Sequence, residues 1–362
     1  MSSEVFYRKY RPKQLAQVIG QEHITKLLEA QFKSSFVHHA YLLCGRYGCG
    51  KTTVARIIAK IANCANRAPN NVATCGECPS CIGIMDGTSS DTRELDGGSR
   101  GSKDDMCEVI RTSSFAPVRD KYRIFIINEF QELSPHARTA LLTELEEPPP
   151  TTIFIFTTTD YSKVPKALAS RCQRFFFRPV SEADIVMYLS KLCEHRDVPY
   201  EEEALRLIAR VSDGSLRTAL CELQTIEIVG DGSVKTQDCS KYLGLVGRES
   251  IYDLFDRIAV GAAGEALNVI EAIMDTAPNT ERVIGEMSRV VSAMVLIGCG
   301  SAVDPAVTPE ERKRIESLAE KTDAKRMTQY SSILAEAALS LSVNINQRLV
   351  METVVVQMCE TA

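Results

Sequence analysis

Apolar runs alternate with stretches of helical periodicity in the first half of the chain. Four runs are apolar at nearly every position, as strands buried on both faces of a parallel sheet are. They predict strands at residues 40–44, 122–127, 152–157 and 174–177, with a further short strand at 91–96. Apolar residues three and four apart predict a helix before the first strand, at 22–34, and helices between later strands, at 51–64 and 134–146.

The pattern changes after residue 181, where every periodic segment is helical. The predicted helices span 181–194, 201–212, 215–229, 250–260, 264–276, 279–298, 309–320 and 324–360, and we expect the last to be broken. The fold class is therefore an α/β domain with a parallel sheet, followed by helices alone.

Composition limits the class of protein. Of 362 residues, 44% are hydrophobic and 25% charged, as in ordinary globular proteins. A net charge of −5 argues against a protein that coats nucleic acid, although residues 7–12 form a local basic and aromatic stretch. With no membrane-length apolar run and no signal-peptide pattern at the start, we expect a cytoplasmic protein without a membrane partner.

An octapeptide after the first predicted strand reads G-x-x-x-x-G-K-T and is followed by a predicted helix. Such glycines let the backbone wrap a polyphosphate, and the helix start adds positive potential. Lys51 would contact the outer phosphates, and the Thr52 hydroxyl would face Mg²⁺. The motif predicts a nucleoside triphosphate site comprising Gly45, Arg46, Tyr47, Gly48, Cys49, Gly50, Lys51, Thr52 and Thr53.

Four of the thirteen cysteines lie within eighteen residues, at Cys64, Cys75, Cys78 and Cys81. Two overlapping C-x-x-C turns suit tetrahedral thiolate ligation, and a closed Cys₄ site is structural rather than catalytic. Zn²⁺ is the predicted ion. An iron–sulfur cluster and four unmetallated thiols are the alternatives.

Polar residues end two of the predicted strands. Glu129, after the strand at 122–127, is the predicted base for the attacking water. Asn128 stands where a metal-associated aspartate is expected, and because it lacks negative charge Mg²⁺ should be held less tightly. Thr159, after the strand at 152–157, is a candidate for ordering the water or a simple turn cap.

Several other residues have two interpretations each. Val18 and Ile19 either wall an adenine pocket or belong to ordinary packing. Arg100 and Lys103 either contact nucleic-acid phosphate or are solvated charges. Arg217 opens a predicted helix, where a cation is unfavourable, so an anionic ligand there would explain its placement.

Together these motifs resemble the ATPase subunit of the bacterial sliding-clamp loader, the gamma/tau family of DNA polymerase III. The resemblance covers roughly residues 4 to 245, and the four-cysteine insertion is its most discriminating feature. The other segments that carry it are residues 7–12, 18–21, 45–52, 94–100, 141–149, 170–172 and 214–217.

The family implies an AAA+ nucleotide-binding domain at 1–179, a small helical lid at 180–244 and a helical collar at 245–362 that assembles a five-membered ring. It implies ATP, Mg²⁺ and Zn²⁺ as cofactors, with other ring subunits, a sliding clamp and primer–template DNA as partners. By matching position, Arg171 would reach a neighbour's γ-phosphate and Arg217 would sense the phosphate in its own chain. Thr159 would order the water.

Two departures from the family keep alternatives open. Asn128 allows a non-hydrolysing ring member, or a diverged or engineered one. The sequence also lacks the extension of the longer family form, as a short product, a truncation or a phage relative would. A different AAA+ machine, such as a branch-migration helicase, is the remaining alternative, and the four-cysteine insertion argues against it.

Overall fold

A computed structural model describes residues 4–34, 36–68, 70–99, 101–243, 248–276, 280–301, 309–341 and 346–361. Arg100, a candidate phosphate contact, lies outside these residues. The chain divides into two compact units, Met1–Cys239 and Ser240–Ala362.

The first unit is built on a five-stranded parallel sheet of order β2-β3-β4-β1-β5. The strands are β1 (Ala40–Cys44), β2 (Thr92–Asp96), β3 (Arg123–Asn128), β4 (Thr152–Thr158) and β5 (Gln173–Phe176). All five were predicted to within about one residue. The register pairs Cys44 with Thr158 and Asp96 with Asn128, so the carboxyl ends of neighbouring strands meet at one edge.

Helices cover both faces of this sheet and continue beyond it. They are α1 (Phe6–Lys9), α2 (Glu22–Lys33), α3 (Lys51–Asn63), α4 (Pro79–Asp86), α5 (Lys103–Ser113), α6 (Pro135–Glu144), α7 (Lys166–Ala169), α8 (Glu182–His195), α9 (Glu202–Val211), α10 (Leu216–Val229) and α11 (Thr236–Tyr242). The sequence did not predict α1, α4, α7 or α11, and it gave no bounds for α5.

Alternation along the strands produces two apolar layers. On β1, Tyr41 and Leu43 join the core beneath α2 and α3, and Leu42 joins the core beneath α5 and α6. The apolar periodicity of α2 predicts one buried face made of Ile24, Leu27, Leu28 and Phe32, and this prediction was partly wrong. Leu27 is 48% exposed, whereas Ile24, Leu28 and Phe32 are buried, because Leu27 lies about 100° around the helix from Leu28.

Three helices, α8 to α10, pack against one another after the sheet. Buried leucines and isoleucines fill their interface, including Ile185, Leu189, Leu205, Ile208 and Leu223. No named strand follows β5 in the described chain, although Tyr200 and Val234 form an isolated bridge. The boundaries proposed at 179/180 and 244/245 remain predictions.

The second unit is helical throughout its described residues. Its helices are α12 (Arg248–Ala259), α13 (Ala263–Thr276), α14 (Thr280–Gly298), α15 (Pro309–Lys321), α16 (Ala324–Leu341) and α17 (Gln347–Glu360). The expected break in the segment 324–360 falls between α16 and α17. Leu254, Phe255, Met287, Tyr330 and Val355 lie in one apolar core. Among the described helices, none combines the length and hydrophobicity needed to cross a bilayer.

Candidate nucleotide and metal sites

The glycine-rich loop leaves the carboxyl end of β1 and enters α3. Gly48 and Gly50 have φ angles of +78° and +102°, which side chains rarely allow. A Cβ atom at Gly48 would lie 1.9 Å from Ser215 Oγ at the start of α10. Glycine at position 48 therefore allows both the turn of the loop and the close approach of the start of α10 to it.

Lys51 begins α3 and is 5% exposed. Its ammonium donates to the carbonyl oxygens of Gly45 at 2.7 Å and Arg46 at 2.9 Å. Burial lowers the pKa of Lys51, with partial opposition from nearby Cys49 and Glu129. No carboxylate pairs with Lys51 among the described residues, so a buried positive charge remains available to an anion.

Thr52 lies beside Asn128, the last residue of β3. The hydroxyls of Thr52 and Thr157 donate to Asn128 Oδ1 at 3.0 Å and 3.1 Å. These contacts join the helix after the loop to the ends of β3 and β4. The structure thus brings Asn128 to the position facing Thr52 that a metal-side residue would need.

Glu129 and Thr159 converge on one glutamine. Gln131 Nε2 lies 2.6 Å from Glu129 Oε2 and 2.9 Å from Thr159 Oγ1, and Thr159 Oγ1 lies 3.4 Å from the same carboxylate oxygen. The Glu129 backbone is left-handed, with φ of +52°. A non-glycine residue in that conformation is strained and persists where its surroundings fix it.

A cavity of about 380 Å³ joins these groups. Val18 and Ile19 line it together with the loop, Asn128 and Glu129. The carbon centre of the Arg217 guanidinium lies 4.5 Å from the Tyr7 ring centre and 5.0 Å from that of Tyr47. The remaining predicted loop residues on its wall are Tyr47, Gly48, Cys49, Gly50, Lys51, Thr52 and Thr53.

Four residues predicted for the nucleotide site lie away from the cavity wall: Gly45, Arg46, Thr159 and Arg171. Thr159 reaches the wall only through its contact with Glu129. Gly45 and Arg46 accept from Lys51 through their carbonyls, and the Arg46 guanidinium pairs with exposed Asp213 at 2.8 Å. Arg171 lies beyond the cavity, where it pairs with Glu146 at 2.8 Å and donates to the Ala167 carbonyl oxygen at 2.8 Å.

The four predicted ligand sulfurs lie within 4.8 Å of one another. Two separations are 3.6 Å, between Cys64 and Cys75, and 4.0 Å, between Cys75 and Cys81. A tetrahedron with ~2.3 Å zinc–sulfur bonds has edges of about 3.8 Å, whereas a disulfide needs about 2.05 Å. The four thiols therefore fit a tetrahedral ion and are unpaired.

Backbone N–H groups point at these sulfurs. Cys78 N lies 3.3 Å from Cys75 Sγ, and Cys81 N lies 3.5 Å from Cys78 Sγ. Donation from the backbone of Glu77 and Cys78 lowers the pKa of Cys75 to about 6, which favours the thiolate that a metal needs. Burial raises the pKa of Cys81.

Side chains attach this cysteine module to the sheet. Asn63 exchanges hydrogen bonds with the backbone of Tyr122, just before β3, at 2.9 Å and 3.0 Å. Ser80 Oγ donates to Asp120 at 2.5 Å. Buried Lys60 donates to the Lys13 carbonyl oxygen at 2.9 Å. Ser80 thus joins the module itself to the segment before β3, while Lys60 and Asn63 fix the end of α3 from which the module starts.

Two residues that the sequence did not single out contact side chains of the candidate nucleotide site. Gln131 lies in a short 3₁₀ turn, Phe130–Glu132, and a neutral amide there has no recognisable pattern. Glu94, on β2, was noticed only as part of the family resemblance, yet it contacts Asn128 directly. Lys103 is the exposed first residue of α5, and its candidate phosphate contact remains a prediction.

Comparison with known families covers almost the whole chain. The family described as "DNA polymerase III, delta subunit" matches residues 20–181. "DNA polymerase III clamp loader subunit, ATPase lid domain" matches 184–224, and "DNA polymerase III subunits gamma and tau domain III" matches 234–362.

Individual relatives agree with these families. The DNA polymerase III subunit gamma of Buchnera aphidicola is 32% identical over 289 residues, which are 80% of each chain. Subunit tau of Bacillus subtilis is 32% identical and aligns with 100% of this chain and 64% of its own length. Subunit tau/gamma of Haemophilus influenzae is 30% identical and aligns with 96% of this chain and 50% of its own length. The chain thus spans half to two thirds of these two longer relatives.

Among solved structures, the Thermotoga maritima RuvB Holliday junction branch migration motor is 20% identical over 69% of this chain and 79% of its own, with a TM-score of 0.48. A likeness of this degree carries no argument about function.

Proposed function

Because the chain belongs to the gamma/tau family of DNA polymerase III subunits, we propose that it is an ATP-hydrolysing AAA+ subunit of a sliding-clamp loader. The observation that carries this proposal is the convergence of Lys51, Thr52, Glu129 and Thr159 at the carboxyl edge of one parallel sheet. Ligands bind at this edge in open α/β sheets.

The residues present fit a nucleotide with Mg²⁺. Lys51 is a buried cation that pairs with no carboxylate in the described part of the chain, and the N–H groups at the start of α3 add positive potential. Bound ATP and Mg²⁺ would supply the anhydride and the charge neutralisation for phosphoryl transfer. Thr52 and Asn128 would face the metal, while Val18 and Ile19 would pack against the base.

Glu129 is the proposed general base, held beside Thr159 by Gln131. Its carboxylate would accept a proton from the attacking water, which Thr159 would help to orient. Arg217, at the first turn of α10, would bind the terminal phosphate from the lid. The lid start is already close to the loop, since Ser215 contacts Gly48.

Cys64, Cys75, Cys78 and Cys81 are the proposed ligands of one structural Zn²⁺. Support comes from the sulfur separations and from the N–H donors that stabilise thiolates. The ion would fix the module between α3 and α4 and has no part in hydrolysis.

Assembly would complete the site. Arg171 lies outside the cavity of its own chain, which suits a residue that serves a neighbour's nucleotide. We propose a ring with other clamp-loader subunits, acting on a sliding clamp and primer–template DNA in the cytoplasm. The domain limits would be 1–179 for the AAA+ domain, 180–244 for the lid and 245–362 for the collar.

Asn128 supports a competing proposal, a ring member that binds ATP without hydrolysing it. An amide in place of a carboxylate leaves less negative charge near the metal. The presence of Lys51, Glu129 and Arg171 favours hydrolysis instead.

The deciding experiment measures steady-state ATP hydrolysis by the full chain after co-purification with candidate ring subunits. We expect clamp and primed DNA to stimulate turnover and Lys51→Ala to abolish it, while Lys26→Ala, at an exposed position on α2, retains it. Nucleotide binding without stimulated turnover would favour the non-hydrolysing ring member. Strand separation without any clamp would favour a branch-migration helicase.

A further inference from the structure

Glu94 lies at the metal side of the proposed nucleotide site. The register pairs Asp96 of β2 with Asn128 of β3, and Glu94 is two residues earlier on the same face of its strand. Glu94 Oε1 accepts from Asn128 Nδ2 at 2.9 Å, and Oε2 accepts from Arg56 Nε at 2.7 Å. Its side chain is 28% exposed.

This contact fixes the orientation of the Asn128 amide. An ionised carboxylate only accepts hydrogen bonds, so the amide nitrogen must face Glu94. Hydroxyl groups both donate and accept, so Thr52 and Thr157 can serve the oxygen that remains. Three neighbours on three different elements therefore present the amide oxygen, rather than the nitrogen, toward Thr52.

Glu94 also brings a carboxylate to a site whose strand-end residue is neutral. It lines the same cavity as Thr52, Asn128 and Glu129. Arg56 holds one carboxylate oxygen, and the other is held by Asn128. The negative charge is thus carried on β2, one hydrogen bond away from the residue on β3 that faces Thr52.

We propose that Glu94 is a positioning residue for Mg²⁺: it turns the oxygen of Asn128 toward Thr52, while Arg56 holds the Glu94 carboxylate in place. The proposal rests on the proposed nucleotide function. The residues around a metal's direct ligands typically change metal affinity by about 10- to 100-fold when mutated.

Exchanging the carboxylate of Glu94 and the amide of Asn128 between the two positions tests this proposal. In Asn128→Asp alone, a carboxylate oxygen replaces the amide nitrogen that now lies 2.9 Å from Glu94. Two carboxylates at such a separation do not both ionise readily, so we expect no tighter Mg²⁺ binding. In the double variant Glu94→Gln/Asn128→Asp, the amide on β2 donates to the carboxylate on β3, and the hydrogen bond is retained.

The measurement is binding of a fluorescent ATP analogue to the full chain, in EDTA and over a Mg²⁺ series. We expect Glu94→Gln to raise the Mg²⁺ concentration for half-maximal binding about tenfold, and the double variant to recover it. Binding in EDTA should stay unchanged, because Lys51 and the loop are intact. Glu108→Gln, which removes an exposed carboxylate paired with Arg93, is the matched control.

Two results would overturn the inference while nucleotide binding remains normal. One is an unchanged Mg²⁺ requirement in Glu94→Gln. The other is an Asn128→Asp single variant that tightens Mg²⁺ binding as much as the double variant does. A wild-type chain that binds no nucleotide at any Mg²⁺ concentration would instead contradict the proposed function itself.

Discussion

Gln131 holds Glu129 through a 2.6 Å hydrogen bond from its amide nitrogen to the carboxylate. The same nitrogen lies 2.9 Å from Thr159 Oγ1, and the amide oxygen accepts from Thr158 Oγ1 at 2.7 Å. One side chain therefore fixes the distance between the proposed base and the proposed water-ordering hydroxyl. Neither of those residues has to be rigid by itself.

Gln131→Ala should lower ATP turnover more than it lowers ATP affinity. Loss of the amide frees the Glu129 carboxylate, and a misplacement of about 1 Å in a reacting group can cost on the order of 100-fold in rate. Turnover by the assembled complex and binding of a fluorescent ATP analogue would be measured side by side.

Glu132→Ala is the control for this variant, since Glu132 is exposed in the same 3₁₀ turn. Equal losses in the two variants would mean that the turn, rather than the Gln131 amide, matters. Unchanged turnover in Gln131→Ala would remove its positioning role.

The cysteine module should hold about one zinc ion per chain. Cys78→Ser replaces a buried thiol whose sulfur accepts from Cys81 N, so we expect zinc loss and a lower melting temperature. Elemental analysis of protein purified without chelator measures the metal. Cys107→Ser, at an exposed cysteine on α5, should keep the full zinc content, and metal-free wild-type protein would refute the site.

Buried Asp91 predicts a pH dependence of stability. Burial alone would raise the pKa of Asp91, but N–H donation from Val118, Arg119 and Asp120, with the nearby Arg123 charge, holds it below its usual value. A lowered folded-state pKa stabilises the protein above the unfolded pKa of ~3.9, and this contribution is lost as pH falls through the folded value.

Asp91→Asn should therefore reduce the free energy of unfolding at pH 7 by about 1–3 kcal/mol, since an amide cannot accept all three N–H groups. The difference from wild type should shrink as the pH falls below about 4. Urea denaturation at several pH values measures it. Asp86→Asn provides a comparison outside this hydrogen-bond network, and a pH-independent difference would contradict the linkage.

Arg171→Ala should lower ATP turnover only in the assembled complex. If the guanidinium serves a neighbour's phosphate, turnover should fall on the order of 1000-fold while ATP binding by the isolated chain is retained. Arg174→Ala removes a nearby exposed cation that contacts Tyr161 and should have little effect. Full turnover in the Arg171 variant would exclude the role in trans.

The sheet could be predicted from the sequence because buried parallel strands need apolar residues at nearly every position. Ile124 to Ile127 and Ile153 to Phe156 illustrate this, since all are essentially buried. It missed α4, which is short and begins at a proline inside the cysteine module. There the closely spaced cysteines and glycines dominate the pattern and conceal the helical periodicity.

The candidate site was predicted only in part, because some of its residues belong to no local sequence pattern. Lys51 and Glu129 follow from a motif and a strand end. Gln131 is hydrogen-bonded to Thr158 at the end of β4, and Glu94 to Asn128 at the end of β3. Such pairs depend on how the strands are aligned, which no local pattern encodes. The interpretation of Asn128 likewise changes once Glu94, its hydrogen-bond partner on β2, is known.

The two carbonyl contacts of Lys51 have a consequence for how tightly a nucleotide can be held. The ammonium already has partners at 2.7 Å and 2.9 Å within its own loop. The ammonium has three N–H donors, so one is left for an incoming phosphate. Any further phosphate contact would replace a carbonyl bond rather than add to it, so the net gain is smaller than the new contacts alone. We expect this exchange to moderate affinity and favour product departure, as repeated turnover by the proposed ATPase requires.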